Sequence, residues 1–211
     1  MIHQESLAMG LFEAGCVQFG RFKLKSGIIS PIYLDLRLLV SDPATLWKTA
    51  SALSETIQGL PDPEGKPTRP PITFDRLAAI PYAALPIGVA LSLTIDRPLI
   101  YPRKEIKAYG TARPIEGHYK AGEKVLVLDD LITRGDSKLD AIAPLEAAGL
   151  VVQDILVLID RQQGGAEVLR EHGYQLHSIL TLPTLLEILS RQEAITPEQY
   201  DQVLEYLSGR A

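Results

Sequence analysis

The chain of 211 residues has one cysteine, Cys16, one tryptophan and four histidines. A lone cysteine excludes an internal disulfide framework and suits a reducing compartment. No activating neighbour flanks it, so Cys16 reads as a packed thiol rather than a nucleophile. Long apolar runs are also missing. The longest candidate, Ala83 to Ile95, contains Pro86 and is bounded by Asp96 and Arg97, short of the about 18 residues that mark a membrane span. The N-terminus lacks the basic-then-apolar order of a secretory signal. Excess positive charge is absent as well: the formal net charge is −5, which argues against a general nucleic-acid or membrane-surface binder. What is present, 46% apolar and 22% charged residues, is ordinary for a globular protein and ample for a core. The expectation is one cytoplasmic domain over residues 1–211, with neither nucleic acid nor membrane as partner.

Apolar positions near helical spacing fill residues 1–20. Residues 19–36 then read as a hairpin of two short strands turning at Ser26-Gly27. Asp42-Pro43 opens a helix, an N-cap followed by proline in the first turn. Leu46, Ala50, Leu53 and Ile57 fall on one face of it. Gly59 to Pro71 carries five prolines and reads as a surface loop. Beyond it the spacing predicts strands at 72–80, 98–101, 125–128, 152–159 and 174–180. Helices alternate with them at 82–95, 137–148 and 165–172, and two more follow at 183–190 and 197–207. Such alternation implies an α/β fold, a mostly parallel central sheet with helices on both faces.

Two segments carry chemistry. Val125 to Leu128 is a short apolar run that ends in two adjacent carboxylates, Asp129 and Asp130, followed by Thr133, Arg134, Gly135, Asp136 and Ser137. In an open α/β sheet, what lies past a strand's C-terminal end faces the ligand crevice. Paired acids there suit sugar hydroxyls or a hydrated Mg²⁺. Backbone N–H groups of a Gly-containing turn that opens a helix suit a phosphate. The bland alternative is a capped helix start, with Asp136 or Ser137 as N-cap and Ser137 and Asp140 as a capping box. The second segment, Arg103 to Gly122, breaks the alternation of strand and helix. It groups Arg103, Lys104 and Lys107, and such a cluster is easier to explain by an anionic partner than by local structure.

In order and spacing these segments resemble the orotate phosphoribosyltransferases, most closely the version that forms the first half of bifunctional UMP synthases. The likeness runs from about Phe12 to Leu189. Residues 125–137 are similar to the diphosphoribosyl-binding signature of type I phosphoribosyltransferases. Phe19 to Leu36 resembles the family's hood over the base, and Ile80-Pro-Tyr-Ala-Ala-Leu-Pro-Ile its pyrophosphate-approaching segment. Arg103-Lys-Glu-x-Lys-x-Tyr-Gly resembles its mobile lid, and Ile159-Asp-Arg-Gln-Gln-Gly-Gly the turn that meets the orotate carboxylate. The resemblance implies the type I phosphoribosyltransferase fold with a small hood (about 1–40) and a lid (about 103–122).

It also implies roles. Lys107, with Arg103 and Lys104 beside it, would be the catalytic lid. Asp129 and Asp130 would hold the ribose hydroxyls, and the Thr133 to Ser137 turn (Thr133, Arg134, Gly135, Asp136, Ser137) the 5-phosphate. Tyr82 would approach the diphosphate. Lys25, Tyr33, Thr133 and Arg161 would bind orotate, Arg161 pairing with its carboxylate. Mg²⁺ would be the cofactor, held mainly through the diphosphate rather than by protein ligands, and a homodimer would share the lid across its interface. With the chain ending at Ala211, the decarboxylase of the bifunctional relatives is expected to be absent from it, and a separate OMP decarboxylase stands as a candidate partner.

Asp136, Arg134, Ala83, Ala108 and Tyr109 depart from the family pattern, which bears on turnover and on the phosphate site. Three alternatives stand beside this one. They are a transferase for another nucleobase, a non-catalytic regulator of the same fold that senses a phosphoribosyl ligand, and a plain α/β module.

Overall fold

A computed structural model of the chain describes residues 2–23, 27–59, 70–103 and 114–208. Helix α1 (Ile2–Glu13) leads into an antiparallel pair, β1 (Val17–Lys23) and β2 (Ile29–Leu34), with Val17 opposite Leu34. The expected hairpin is there, although β1 begins earlier than 19 and the turn residue Ser26 lies outside the described residues. A 3₁₀ turn over Leu36–Ser41 follows, and then α2 (Pro43–Gln58). The Asp42 carboxylate accepts the Thr45 N–H at 3.0 Å with Pro43 in the first turn, the start that Asp42-Pro43 predicts. Most of the proline-rich loop lies outside the described residues.

The remaining elements are β3 (Arg76–Ala79), α3 (Ala84–Ile95), β4 (Leu99–Pro102), β5 (Ile115–Glu116), β6 (Lys124–Ile132), α4 (Asp136–Ala147), β7 (Val151–Asp160), α5 (Gly165–Glu171), β8 (Gln175–Thr181), α6 (Leu182–Arg191) and α7 (Pro197–Leu207). Every predicted helix and strand of this half is present, with two differences. The strand expected over 72–80 is confined to Arg76–Ala79, because the Ile72 N–H donates to the Ile57 carbonyl at the end of α2, at 2.8 Å, instead of joining a ladder. The unexpected β5 pairs antiparallel with β4, Glu116 opposite Tyr101. Two residues are too few to leave a period in the sequence.

The main sheet runs β5-β4-β3-β6-β7-β8 and is parallel except for β5. Alternate residues of β6 serve opposite faces. Leu126 and Leu128 join the core shared with α1, α2, α3, α6 and α7, while Val125 and Val127 join the one shared with α4 and α5. All four are at most 2% exposed, which is why this stretch reads as a continuous apolar run rather than an alternating one. Each contributes roughly 1.5–3 kcal/mol by leaving water. From β3 the chain winds outward to β4 on one side, and β6 returns to the other side of β3. That reversal is a topological switch point, and a crevice opens there at the carboxyl ends of the strands.

Candidate active site

A cleft of about 510 Å³ occupies the switch point. Tyr82 and Ala83 border it from beyond β3, Arg103 from beyond β4, Asp129 and Asp130 from the end of β6, and Ser137 from the head of α4. The long pairing of β6 with β7, from Lys124 to Ile132, carries the acids past the edge of β3, whose last partner on β6 is Leu128. Asp129 Oδ1 accepts the Asp130 N–H at 2.8 Å, and Asp130 Oδ1 accepts the Leu131 N–H at 2.9 Å. Burial, and next the neighbouring Asp129 charge, raise Asp130 to about 7. Asp130 is therefore an acceptor whose ionisation is poised near neutrality.

The turn that follows is built for close approach. Gly135 adopts φ 94°, and a Cβ there would press on the Gly165 carbonyl at 3.3 Å. Helix α4 begins at Asp136, with Gly135 at its cap position and no side-chain hydrogen bond capping it. The capping reading of Asp136 and Ser137 is thereby corrected. Gly135, in left-handed geometry, holds the cap position instead and places Asp136 and Ser137 inside the first turn. Helix N-terminal N–H groups left without a side-chain acceptor favour an anion. Asp136 and Arg134 are both exposed, so the atypical carboxylate is solvated. Gly165 closes the turn from α5: a Cβ there would meet the Thr133 carbonyl at 2.8 Å.

Arg161 leaves β7 beside this turn, its N–H donating to the Ile132 carbonyl at 3.0 Å. Its Nε is buried with no hydrogen-bond partner. Burial lowers the guanidinium's pKa, opposed by the Tyr206 hydroxyl of α7, which hydrogen-bonds it. A buried guanidinium with an unused donor favours a planar anion beside it. On the hood, Tyr33 stacks on Phe22 with centroids 5.4 Å apart, and its hydroxyl accepts from Arg37 Nη2 at 3.2 Å. Tyr33 does not border the cleft; Arg37 does. Arg103 is ion-paired with Glu116 across the β4–β5 pair, while Lys25, Lys104 and Lys107, with Ala108 and Tyr109, lie outside the described residues.

Three contributors escaped the sequence reading: Arg37, Tyr206 and Lys138. Lys138 alone left a trace, since it shares a helix face with the buried Ile142 and Leu145. Cys16 is fully buried, and burial together with Asp35 and Asp42 pushes its thiol up to about 11, as a packed thiol requires. Among the described residues no helix is long and apolar enough to cross a membrane.

The mostly parallel sheet with its switch-point cleft, and a strand ending in paired acids before a glycine turn, make the fold that of the type I phosphoribosyltransferases. No protein-family model matches the chain. An orotate phosphoribosyltransferase from Pyrobaculum aerophilum is 37% identical over 94% of this chain and 96% of its own length. A bifunctional enzyme PyrF/PyrE from Nostoc sp. is 38% identical over 92% of this chain and 38% of its own. The solved Leishmania donovani UMP synthase superposes with a TM-score of 0.85 at 39% identity, over 98% of this chain and 42% of that one. The chain belongs to the orotate phosphoribosyltransferase family. It spans about two fifths of the bifunctional relatives it matches and nearly all of the single-function one.

Proposed function

We propose that the protein transfers ribose 5-phosphate from phosphoribosyl diphosphate to N1 of orotate, giving orotidine 5′-monophosphate and pyrophosphate for pyrimidine nucleotide synthesis. The carrying observation is a cleft bordered both by the Asp129–Asp130 pair and by Ser137 in the first turn of α4, a helix start without a side-chain cap, in a chain of this family. The C1′–O bond to pyrophosphate breaks as the N1–C1′ bond forms and the N1 proton is released to the departing pyrophosphate, so positive charge develops on the ribose and negative charge on the leaving group. Asp130 accepts the ribose hydroxyls, and the turn from Thr133 to Ser137 holds the 5-phosphate. Tyr82 borders the space for the diphosphate. Lys25 and Thr133 line the base, and Arg161 pairs with its carboxylate. Arg103, Lys104 and Lys107 bring positive charge to the departing diphosphate and exclude water. The family of Arg161's ligand is limited by charge: uracil or a purine has no carboxylate to satisfy its buried Nε.

Mg²⁺ suits this donor set. Among the described residues no group of three or more His, Cys, Asp or Glu could hold a metal on its own, whereas Asp130 offers a hard oxygen to an ion carried on the diphosphate. When bound, the ion neutralises charge on the leaving group. A homodimer with a shared lid is part of the same reading, supported by exposed apolar side chains on three elements in mutual contact. These are Val40 on the 3₁₀ turn, Trp47 on α2, and Val89 and Leu93 on α3, an exposed set that a partner subunit would cover. The product keeps a carboxyl that UMP lacks, so a decarboxylase acts next as a partner. We place the reaction in the cytoplasm, where the lone buried thiol of Cys16 stays reduced.

Mixing the protein with phosphoribosyl diphosphate, Mg²⁺ and orotate should deplete the orotate ultraviolet absorbance, while uracil, adenine and xanthine remain unconverted. Turnover of a purine without turnover of orotate would remove the substrate assignment. Arg161→Ala is expected to raise KM for orotate by about tenfold or more, the value of one charge-assisted pairing, with KM for the donor nearly constant. An unchanged orotate KM would count against the pairing.

A further inference from the structure

Lys138 sits in the first turn of α4 and is only 6% exposed. A lysine at the head of an apolar stripe ordinarily extends its ammonium to water. This one turns inward, ion-paired with the Asp129 carboxylate and 3.5 Å from the Ser137 Oγ. Asp129 is itself 8% exposed, and both of its oxygens are engaged, Oδ1 by the Asp130 N–H and Oδ2 by Lys138. Asp129 and Ser137 border the cleft, and Lys138 stands behind them. Burying an ammonium is costly unless it is paired. A leucine or isoleucine would fill this stripe without that cost, as Ile142 and Leu145 do further along the helix.

We infer that Lys138 is a positioning residue for the donor: its ammonium fastens Asp129, at the end of β6, to Ser137, on the phosphate turn, so that the ribose and phosphate halves of the site keep one spacing and Asp130 is the carboxylate left to meet the ribose. The two acids thereby divide their work. Asp129 anchors the helix start, and Asp130 faces the ligand. The ammonium also offsets a local acid surplus, since residues 129–140 hold Asp129, Asp130, Asp136 and Asp140 against Arg134 and Lys138.

This inference rests on the cleft being a phosphoribosyl site, so ribose 5-phosphate is first titrated into the wild-type protein by calorimetry. No wild-type binding would overturn that reading of the cleft, and the inference with it. Given binding, Lys138→Met removes the ammonium, and Lys138→Gln removes its charge while keeping a donor for Asp129. Should the Met variant not fold, the Gln variant decides. In the folded variant, ribose 5-phosphate affinity is expected to fall about tenfold or more, and KM for phosphoribosyl diphosphate to rise in parallel. KM for orotate should stay within about twofold. A folded variant that binds ribose 5-phosphate as tightly as wild type overturns the role of Lys138 and leaves the proposed function standing. So does one in which both KM values rise equally, because a general loosening of the fold would do that.

Discussion

Lys107→Ala is expected to lower orotate-dependent pyrophosphate release by about 10²–10³-fold, the effect of losing one group aimed at developing charge. Thermal stability and donor binding should hardly change, because the residue is assigned to the reaction's charge rather than to a packed core. Full activity of Lys107→Ala would remove the lid from the mechanism. The same variant tests the shared lid. In a homodimer whose lids serve the neighbouring site, mixing Lys107→Ala with Arg161→Ala, assayed at orotate well below the raised KM of Arg161→Ala, creates heterodimers with one site each in which both residues are intact. If half of the dimers are mixed and half of their sites are competent, about a quarter of wild-type activity returns. If each lid serves its own subunit, no site with both residues intact forms and the mixture shows only the mean activity of its two parents.

Asp130→Asn should move activity and stability in opposite directions. Loss of a charged acceptor for two ribose hydroxyls is expected to reduce kcat/KM for the donor by about 10²–10³-fold. Stability behaves otherwise. The carboxyl is raised from 3.8 to about 7 in the fold, so between those values the native state holds a proton that the unfolded chain has released. The stabilisation this gives is complete at low pH and is lost as pH rises toward 7. The asparagine variant escapes that loss. It should match wild type near pH 4 and exceed it at pH 8, read as a melting temperature that is higher at pH 8 and equal near pH 4. A variant less stable than wild type at pH 8 would show that the Asp130 charge is not strained in the fold. The donor KM of the wild type should in turn decrease from pH 6 to 8, as Asp130 ionises, and be flat in the variant.

Much of the site was legible because it is local. Val125 to Ser137 is one strand, one turn and one helix start, and residue chemistry within a dozen positions places acids and N–H groups together. Boundaries were less legible where long-range pairing decides them. The strand at 72–80 lost its first residues to a hydrogen bond with the end of α2, and β5 exists only because β4 offers it an edge. The capping alternative at Asp136 and Ser137 was chemically sound. It failed because Gly135, with a left-handed φ, takes the cap position and leaves Asp136 and Ser137 inside the helix.

The sequence by itself determined the α/β order, the acid pair at the strand end and the family to which these motifs point. It could do so because each depends on neighbours in the chain and on periodicities of two and 3.6. The tertiary structure alone decided which charges face inward. Lys138 meets Asp129, Arg161 meets Tyr206 from 45 positions further along, and Arg37 of the hood borders the cleft. Those meetings are set by the register of β6 against β7 and by the packing of α4 and α7, and a buried charge is tolerated only where that packing supplies its partner.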